Sequence, residues 1–265
     1  KQKSMHILIT GGHSGMGLEL SKKNLKEGHK VGIIVRSAAR KQEAAQLFSG
    51  ENVPDIFIAD LSKRDQIAAV AEEITKAWDK LDGLFNNAGV LLDQLYYSDY
   101  GNELQLEVNA ISPYLLTKAL KPLMDKADAP FVVSTATTGL DKKKDVDIAR
   151  FKKPTKFTKL LGSYVDSKLT LVLLMNHLSK QWENIRIINA DPGAIKTKMT
   201  AGDGMPFWLK PIRNLLFKSP EVGAQNLHDA AFKADFSGSG IYVSGGRLRK
   251  IKVEIEAEQI DELLN

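Results

Sequence analysis

The sequence predicts an α/β fold in which helices cover both faces of a doubly wound parallel sheet. Three observations carry that prediction. Short apolar runs of strand length alternate with longer amphipathic stretches from one end of the chain to the other, and strand–helix–strand units of this kind build a parallel sheet through right-handed crossovers. The first apolar run passes directly into Thr10-Gly11-Gly12-His13-Ser14-Gly15-Met16-Gly17 and then a helical pattern, the phosphate-binding start of a Rossmann-type domain. The 265 residues show no internal repeat or low-complexity tract, so one domain over 1–265 accounts for the chain.

Seven strands are expected, at Met5–Thr10, Val31–Val35, Asp55–Ala59, Leu84–Asn86, Phe131–Ser134, Ile185–Asn189 and Ile241–Val243. Helical periodicity fills 17–27, 39–49, 63–78, 102–124, 163–181 and 220–234. Ser62 with Asp65 reads as a capping box for the third helix, and Ser219-Pro220 as a cap followed by proline at the first helical position. Asp141–Lys159 is rich in lysine and poor in apolar residues, which marks about 139–162 as a surface insertion.

Composition narrows the function. Hydrophobic residues make up 43% and charged residues 26%, the balance of an ordinary globular protein. The formal charge of +5 is spread along the sequence, so no nucleic-acid partner is expected. Cysteine is absent, which excludes disulfides and cysteine-ligated metal, and the five histidines show no ligand spacing, so no metal is expected. His6-Ile7-Leu8-Ile9 is too short for a signal-peptide core and no segment approaches a membrane span. A cytoplasmic location is the expectation.

The glycine turn explains itself chemically. Glycines at 11, 15 and 17 let the backbone turn tightly and approach a pyrophosphate, and the following helix N-terminus offers N–H groups and a positive dipole. A turn with a packing role only is the bland reading. The second strand ends Val35-Arg36-Ser37 with Arg40 and Lys41 behind it, where an acidic residue would accept the ribose hydroxyls of NAD. A guanidinium there suits a 2′-phosphate, so the expected cofactor is NADP(H); the alternative is a solvated residue at a helix start. Asp60-Leu61 at the end of the third strand either meets an adenine amino group or caps the next helix. Asn86-Asn87-Ala88-Gly89 lets the chain pass closely beneath a cofactor.

Ser163-Tyr164-Val165-Asp166-Ser167-Lys168 opens an apolar helical run and sets Tyr164 and Lys168 one turn apart on one face. A phenol titrates near pH 10, and an ammonium beside it stabilises the phenolate. Such a pair can move a proton at neutral pH.

Taken together, these motifs resemble the short-chain dehydrogenase/reductase family. Thr10–Gly17 matches its glycine motif, Asn86–Gly89 its N-N-A-G, Tyr164 and Lys168 its Y-x-x-x-K, and Pro192-Gly193 with Thr197 its P-G-x-x-x-T. Asn109 in Val108-Asn109-Ala110 stands where the family has a helix asparagine. The resemblance runs from about Met5 to Val243 and implies a catalytic set of Asn109, Tyr164, Lys168 and a hydroxyl residue ending the fifth strand. It implies Tyr164 as general acid or base, Lys168 holding the nicotinamide ribose and depressing the tyrosine pKa, and Asn109 supporting a water in a proton relay. It implies Thr197 bonding the nicotinamide carboxamide near Ile195. Two departures stand out. The fifth strand ends Ser134-Thr135 where the family shows two serines; residue chemistry favours Ser134 and register favours Thr135. Tyr164 also lies further beyond that strand than is common. The insertion, Ser167-Lys168-Leu169 and Ser219–Gln225 are most similar to the retinol dehydrogenase and WW-domain oxidoreductase branch, which implies an apolar carbonyl or alcohol substrate.

Met205–Lys218 is rich in large apolar residues with basic ones between, and reads as part of a substrate lid over about 195–218. Ordinary packing and a membrane-surface helix are the alternatives, the latter disfavoured by two prolines. In the family, helices corresponding to Leu104–Leu116 and Leu169–Leu178 often form dimer contacts, so a homodimer or homotetramer is implied. The sequence therefore reads as an NADP(H)-dependent oxidoreductase acting on a small carbonyl or alcohol. The competing reading is a non-catalytic NADP(H) sensor, which needs the glycine turn but not Tyr164.

Overall fold

In the computed structural model, which describes residues 3–48, 50, 52–206, 208, 213, 215–233 and 236–265, the apolar runs become one sheet. Its strands are β1 (His6–Thr10), β2 (Lys30–Val35), β3 (Asp55–Ile58), β4 (Gly83–Asn86), β5 (Phe131–Thr135), β6 (Arg186–Ala190), β7 (Ile241–Ser244) and β8 (Arg247–Arg249). Their order is β3-β2-β1-β4-β5-β6-β7-β8. Every neighbouring pair is parallel except β7 with β8, which is antiparallel. The doubly wound prediction is borne out, with an eighth strand added at the edge. The order reverses between β1 and β4, the place where open α/β sheets leave a ligand crevice.

Helices cover both faces. They are α1 (Gly15–Lys26), α2 (Ala38–Leu47), α3 (Arg64–Ala77), α4 (Leu104–Leu106), α5 (Ser112–Met124), α6 (Ile148–Lys152), α7 (Val165–Gln181), α8 (Lys198–Ala201), α9 (Pro220–Phe232) and α10 (Ala257–Leu264). On one face Leu8, Leu84 and Val132 pack with Ile74, Leu120, Leu123, Leu171 and Leu174 from α3, α5 and α7. On the other, Ile7, Ile9, Ile33 and Val133 meet Leu20, Leu227 and Ala230 from α1 and α9. Alternate residues of each central strand thus serve opposite layers, as a sheet buried on both sides requires.

Four expectations need correction. The helix expected over 102–124 is α4 and α5 joined by a π-helical turn, Glu107–Ile111. The helix expected from 163 begins at Val165, and Lys159–Tyr164 before it is broken by a kink at Gly162. Ser62 forms no capping box: the cap of α3 is Lys63, and Ser62 bonds instead to Asp60. The 139–162 insertion is not merely superficial, because Leu140, Ile148 and Phe151 are buried in the main core, and the Lys152 carbonyl accepts from Glu103 N at 2.8 Å. Phe207, Leu209–Ile212 and Asn214 of the expected lid, and the helix ends expected at Ser49 and Ala234, lie outside the described residues. Among the described residues no helix is long and apolar enough to cross a membrane.

Candidate active site

The carboxyl ends of β1 and β4 are riveted together. Thr10 Oγ1 accepts from Asn87 N at 3.0 Å and Ala88 N at 2.9 Å, while Asn87 Nδ2 donates to Thr10 O at 3.0 Å. Gly11 N donates to Ile34 O at 2.9 Å, so the glycine turn is also tied to β2. Gly11 has φ +68° and Gly15 φ +52°, conformations that favour glycine. A Cβ on Gly17 would collide with the Gly11 carbonyl, which keeps the turn flush against the helix. Ser14 caps α1 in extended conformation with no side-chain bond to the first turn. The opening N–H groups of α1 therefore have no partner within the helix.

This cradle fits a dinucleotide. His13 Nδ1 and Asn87 Oδ1 are buried without a partner, and such atoms call for an external one. Burial holds His13 below the usual imidazole range, and the nearby Arg40 charge adds to that. Arg36 is exposed beyond β2, whereas Arg40 pairs with Glu43 at 2.5 Å. Met16 turns its side chain against Gly223 of α9, so only its backbone is left for a ligand. Asp60 Oδ1 accepts from Ser62 N at 2.9 Å and Ser62 Oγ at 2.8 Å, so this oxygen serves the turn before α3. The neighbouring Leu61 packs on the core.

Opposite the cradle, the P-G segment closes the crevice. Gly193 has φ +86° and Pro192 O accepts from Asn226 Nδ2 at 2.9 Å. Ile195 is buried and bridges to Lys218. Thr197 caps α8, accepting from Thr200 N at 3.2 Å. Its methyl group faces Gly15, 3.5 Å from where a Cβ would stand, so the two motifs meet across the opening.

The residues expected to handle the proton lie close to one another. Asn109, in the π-helical turn, accepts from Val90 N at 2.7 Å and donates to Val90 O at 2.9 Å and Ser167 Oγ at 3.0 Å. Ser167 Oγ in turn donates to Tyr164 O at 2.7 Å. Lys168 Nζ donates to Thr135 O at 2.7 Å and lies 6.0 Å from the Tyr164 ring centre. Both strand-end hydroxyl residues are buried: Ser134 fully, with Asn86 Nδ2 at 3.5 Å, and Thr135 at 6% exposure.

Burial pushes the Tyr164 phenol above its ordinary value, and the Asp191 carboxylate adds to this. Burial pulls the Lys168 ammonium down to about 8. In the protein by itself the tyrosine shift thus runs opposite to the depression implied by the resemblance. Loss of water around a phenolate outweighs a lysine already engaged with a carbonyl. Leu91 and Met205 pack on Tyr164, with Leu160, Met199 and Phe217 around them, giving the tyrosine an apolar surround.

A family model for short chain dehydrogenases matches residues 5–144, more than half of the chain. The chain belongs to the short-chain dehydrogenase family. It is a nucleotide-binding oxidoreductase of Rossmann-type fold. Human retinol dehydrogenase 14 is 28% identical to this dehydrogenase over 259 residues, covering 89% of this chain and 76% of the relative. The short-chain dehydrogenase RED3 of Pyricularia oryzae is 34% identical over 214 residues, covering 74% and 78%. The fold matches the Pseudomonas aeruginosa RhlG/NADP active-site complex at TM-score 0.72 and 23% identity, over 93% of this chain and 97% of the other. It also matches Brucella melitensis 3-ketoacyl-(acyl-carrier-protein) reductase complexed with NADH at TM-score 0.70 and 22% identity, over 93% and 98%.

Three residues that hold this dehydrogenase's crevice together went unread in the sequence: Thr10, Ser167 and Asp191. The first two sit inside motifs, and their hydroxyls at a strand end and a helix start were the available signal. Asp191 precedes Pro192-Gly193, and an acidic side chain just before a buried turn could have marked it.

Proposed function

We propose that this dehydrogenase is NADP(H)-dependent and interconverts a carbonyl and an alcohol on an apolar substrate, with Tyr164 as general acid and base. The observation that carries the reading is the convergence of Tyr164, Lys168, Asn109 and Thr135 on the crevice opened by the glycine turn. When bound, the nicotinamide supplies or accepts the hydride. Tyr164 donates its hydroxyl proton to the substrate oxygen in reduction and recovers it in oxidation. Thr135 orients that oxygen with its hydroxyl, and Ser134 is the second choice for this role. Lys168 supplies the cation beside the phenol, and Asn109 fixes the Tyr164 backbone through Ser167.

Backbone groups of Gly11, His13, Ser14, Gly15, Met16 and Gly17 would hold the pyrophosphate. Arg36 would hold the 2′-phosphate, which is the ground for choosing NADP(H) over NAD(H). Asp60 and Leu61 would border the adenine, and Asn87, Ala88 and Gly89 the ribose side. Pro192, Gly193, Ile195 and Thr197 would flank the nicotinamide. The apolar packing around Tyr164 supports an apolar substrate, in keeping with the retinol in the human relative's name.

The test is NADPH- and NADH-driven turnover of a panel of apolar ketones and aldehydes by the wild type, Tyr164→Phe and Arg36→Ala. Tyr164→Phe should lower kcat by roughly 10²- to 10⁴-fold with NADPH binding retained. Arg36→Ala should erase most of the preference for NADPH. Tight NADPH binding with no turnover across the panel would overturn the enzymatic reading in favour of a sensor.

A further inference from the structure

Val90, Leu91 and Leu92 follow the Asn86–Gly89 turn without joining a helix or strand, so no ladder or helical turn meets their N–H groups. Two buried side chains anchor the loop instead. Asn109 accepts from Val90 N at 2.7 Å and donates to Val90 O at 2.9 Å. Gln105, in α4, accepts from Leu92 N through Oε1 at 3.0 Å. Leu91, between the two anchored residues, is thereby held from both sides.

Gln105 is wholly buried, and its amide has one orientation. Nε2 donates to Glu103 Oε1 at 3.2 Å, while Glu103 Oε2 accepts from Leu106 N at 2.8 Å as the cap of α4. A carboxylate accepts, so the Gln105 amine is committed to Glu103 and its carbonyl is left to face Leu92. Neither Gln105 nor Glu103 has a part in the site described above.

Leu91 is where this loop meets the tyrosine and the segment expected as a lid. It forms one buried apolar cluster with Tyr164 and Met205. Gly204 is laid against it so closely that a Cβ there would collide with Leu91 O and stand 2.8 Å from Leu91 Cγ. Lys159 Nζ donates to Asp203 O at 2.8 Å, which ties the same segment to the chain just before Tyr164.

We propose that Gln105 is a positioning residue: by holding Leu92 N it sets Leu91 against Tyr164 and the Gly204-Met205 segment, and so fixes the width of the apolar pocket in which the substrate carbonyl meets the phenol. The inference rests on the reading of Tyr164 given above. A side chain carried on an irregular loop is only as well placed as the groups that hold the loop.

Gln105→Met is the test, because methionine has nearly the same length but is a far weaker acceptor and no donor. Gln105→Asn, one methylene shorter, withdraws the amide and serves in case the first does not fold. Leu91→Ala removes the wall itself. Two readouts are compared with the wild type: hydrogen exchange of the Leu92 amide, followed by NMR without cofactor, and KM and kcat for NADPH-driven reduction of decanal and of propanal. In Gln105→Met the Leu92 amide should exchange roughly tenfold faster, while amides of β1 and β4 keep their wild-type rates. The KM for decanal should rise roughly tenfold, with those for propanal and NADPH unchanged. In the Leu91→Ala background Gln105→Met should add little to the KM for decanal, because the wall that it positions is gone. Wild-type exchange at Leu92, a KM for NADPH that rises with that for decanal, or effects of the two substitutions that multiply would each overturn the proposal. Should the wild type turn over no ketone or aldehyde, the reading of function fails, and the Leu92 exchange alone still decides whether Gln105 holds the loop.

Discussion

Replacing Lys168 by methionine should make the protein more stable at neutral pH while removing the cation of the site. Lys168 is 2% exposed, and burial takes its pKa from 10.5 to about 8. At about 1.4 kcal/mol per pH unit, holding the ammonium in the fold at pH 7 costs on the order of 3 kcal/mol. Methionine fills nearly the same volume with an unbranched chain. It forfeits the bond to Thr135 O, and leaving that buried carbonyl unmet costs about 1–2 kcal/mol. The net expectation is a gain of about 1–2 kcal/mol at pH 7.

The sign with pH follows from linkage. The folded pKa lies below the unfolded one, so between pH 8 and 10.5 the folded protein has released a proton that the unfolded chain still binds. Wild-type stability therefore rises with pH in that window, and the methionine variant lacks the rise. Its advantage should be largest near pH 7 and mostly gone by about pH 9.5. Urea unfolding of both proteins at pH 7, 8, 9 and 9.5 measures this. The range stops there because buried Tyr164 acts in the opposite sense above its unfolded value near 10. A variant no more stable at pH 7, with a difference flat across the series, would refute the reasoning.

Two further substitutions test other parts of the fold and site. Arg64 holds Glu107 through Nε at 2.7 Å and Nη2 at 3.1 Å and donates to Leu264 O at 2.5 Å, while Glu107 is wholly buried. Arg64→Ala strands that carboxylate and should cost about 3–5 kcal/mol in urea unfolding, with faster hydrogen exchange in α10. Thr135→Ala should reduce kcat roughly tenfold or more, and Ser134→Ala should leave it within a few-fold; the reverse order in steady-state kinetics would return the substrate-orienting role to Ser134.

What the sequence makes legible depends on whether the physical cause is local. Apolar runs buried on both faces need no partner to be read, so β1 to β7 were visible, as was the glycine turn, where Gly11 must take a positive φ. β8 escaped because Arg247–Arg249 is a short edge strand with all three residues exposed, and no alternation marks it. In α10, Ile260 and Leu263 reach the core, but the helix is short and its partner Arg64 lies some 200 residues away in sequence. Leu140, Ile148 and Phe151 are spaced too irregularly to announce that the lysine-rich insertion is anchored. The capping box at Ser62 failed for a competitive reason. Asp60, two residues earlier, takes both the Ser62 N–H and its hydroxyl.

The π-helical turn at Glu107–Ile111 and the kink before α7 were the least legible features. An extra residue in one turn leaves the apolar period nearly intact, yet it rotates the side chains before it by about 100° relative to those after it. In Glu107–Ile111 that rotation lets Asn109 face Val90 and Ser167 while Leu106 and Ile111 both stay in the core. Lys159–Tyr164 instead changes direction by a kink, and Tyr164 stands at the start of α7. Gly162 makes that kink with non-helical dihedrals (φ −110°, ψ −111°), and a Cβ there would press into Thr158. The segment that carries Asn109 thus widens by one residue, and the one before Tyr164 is kinked.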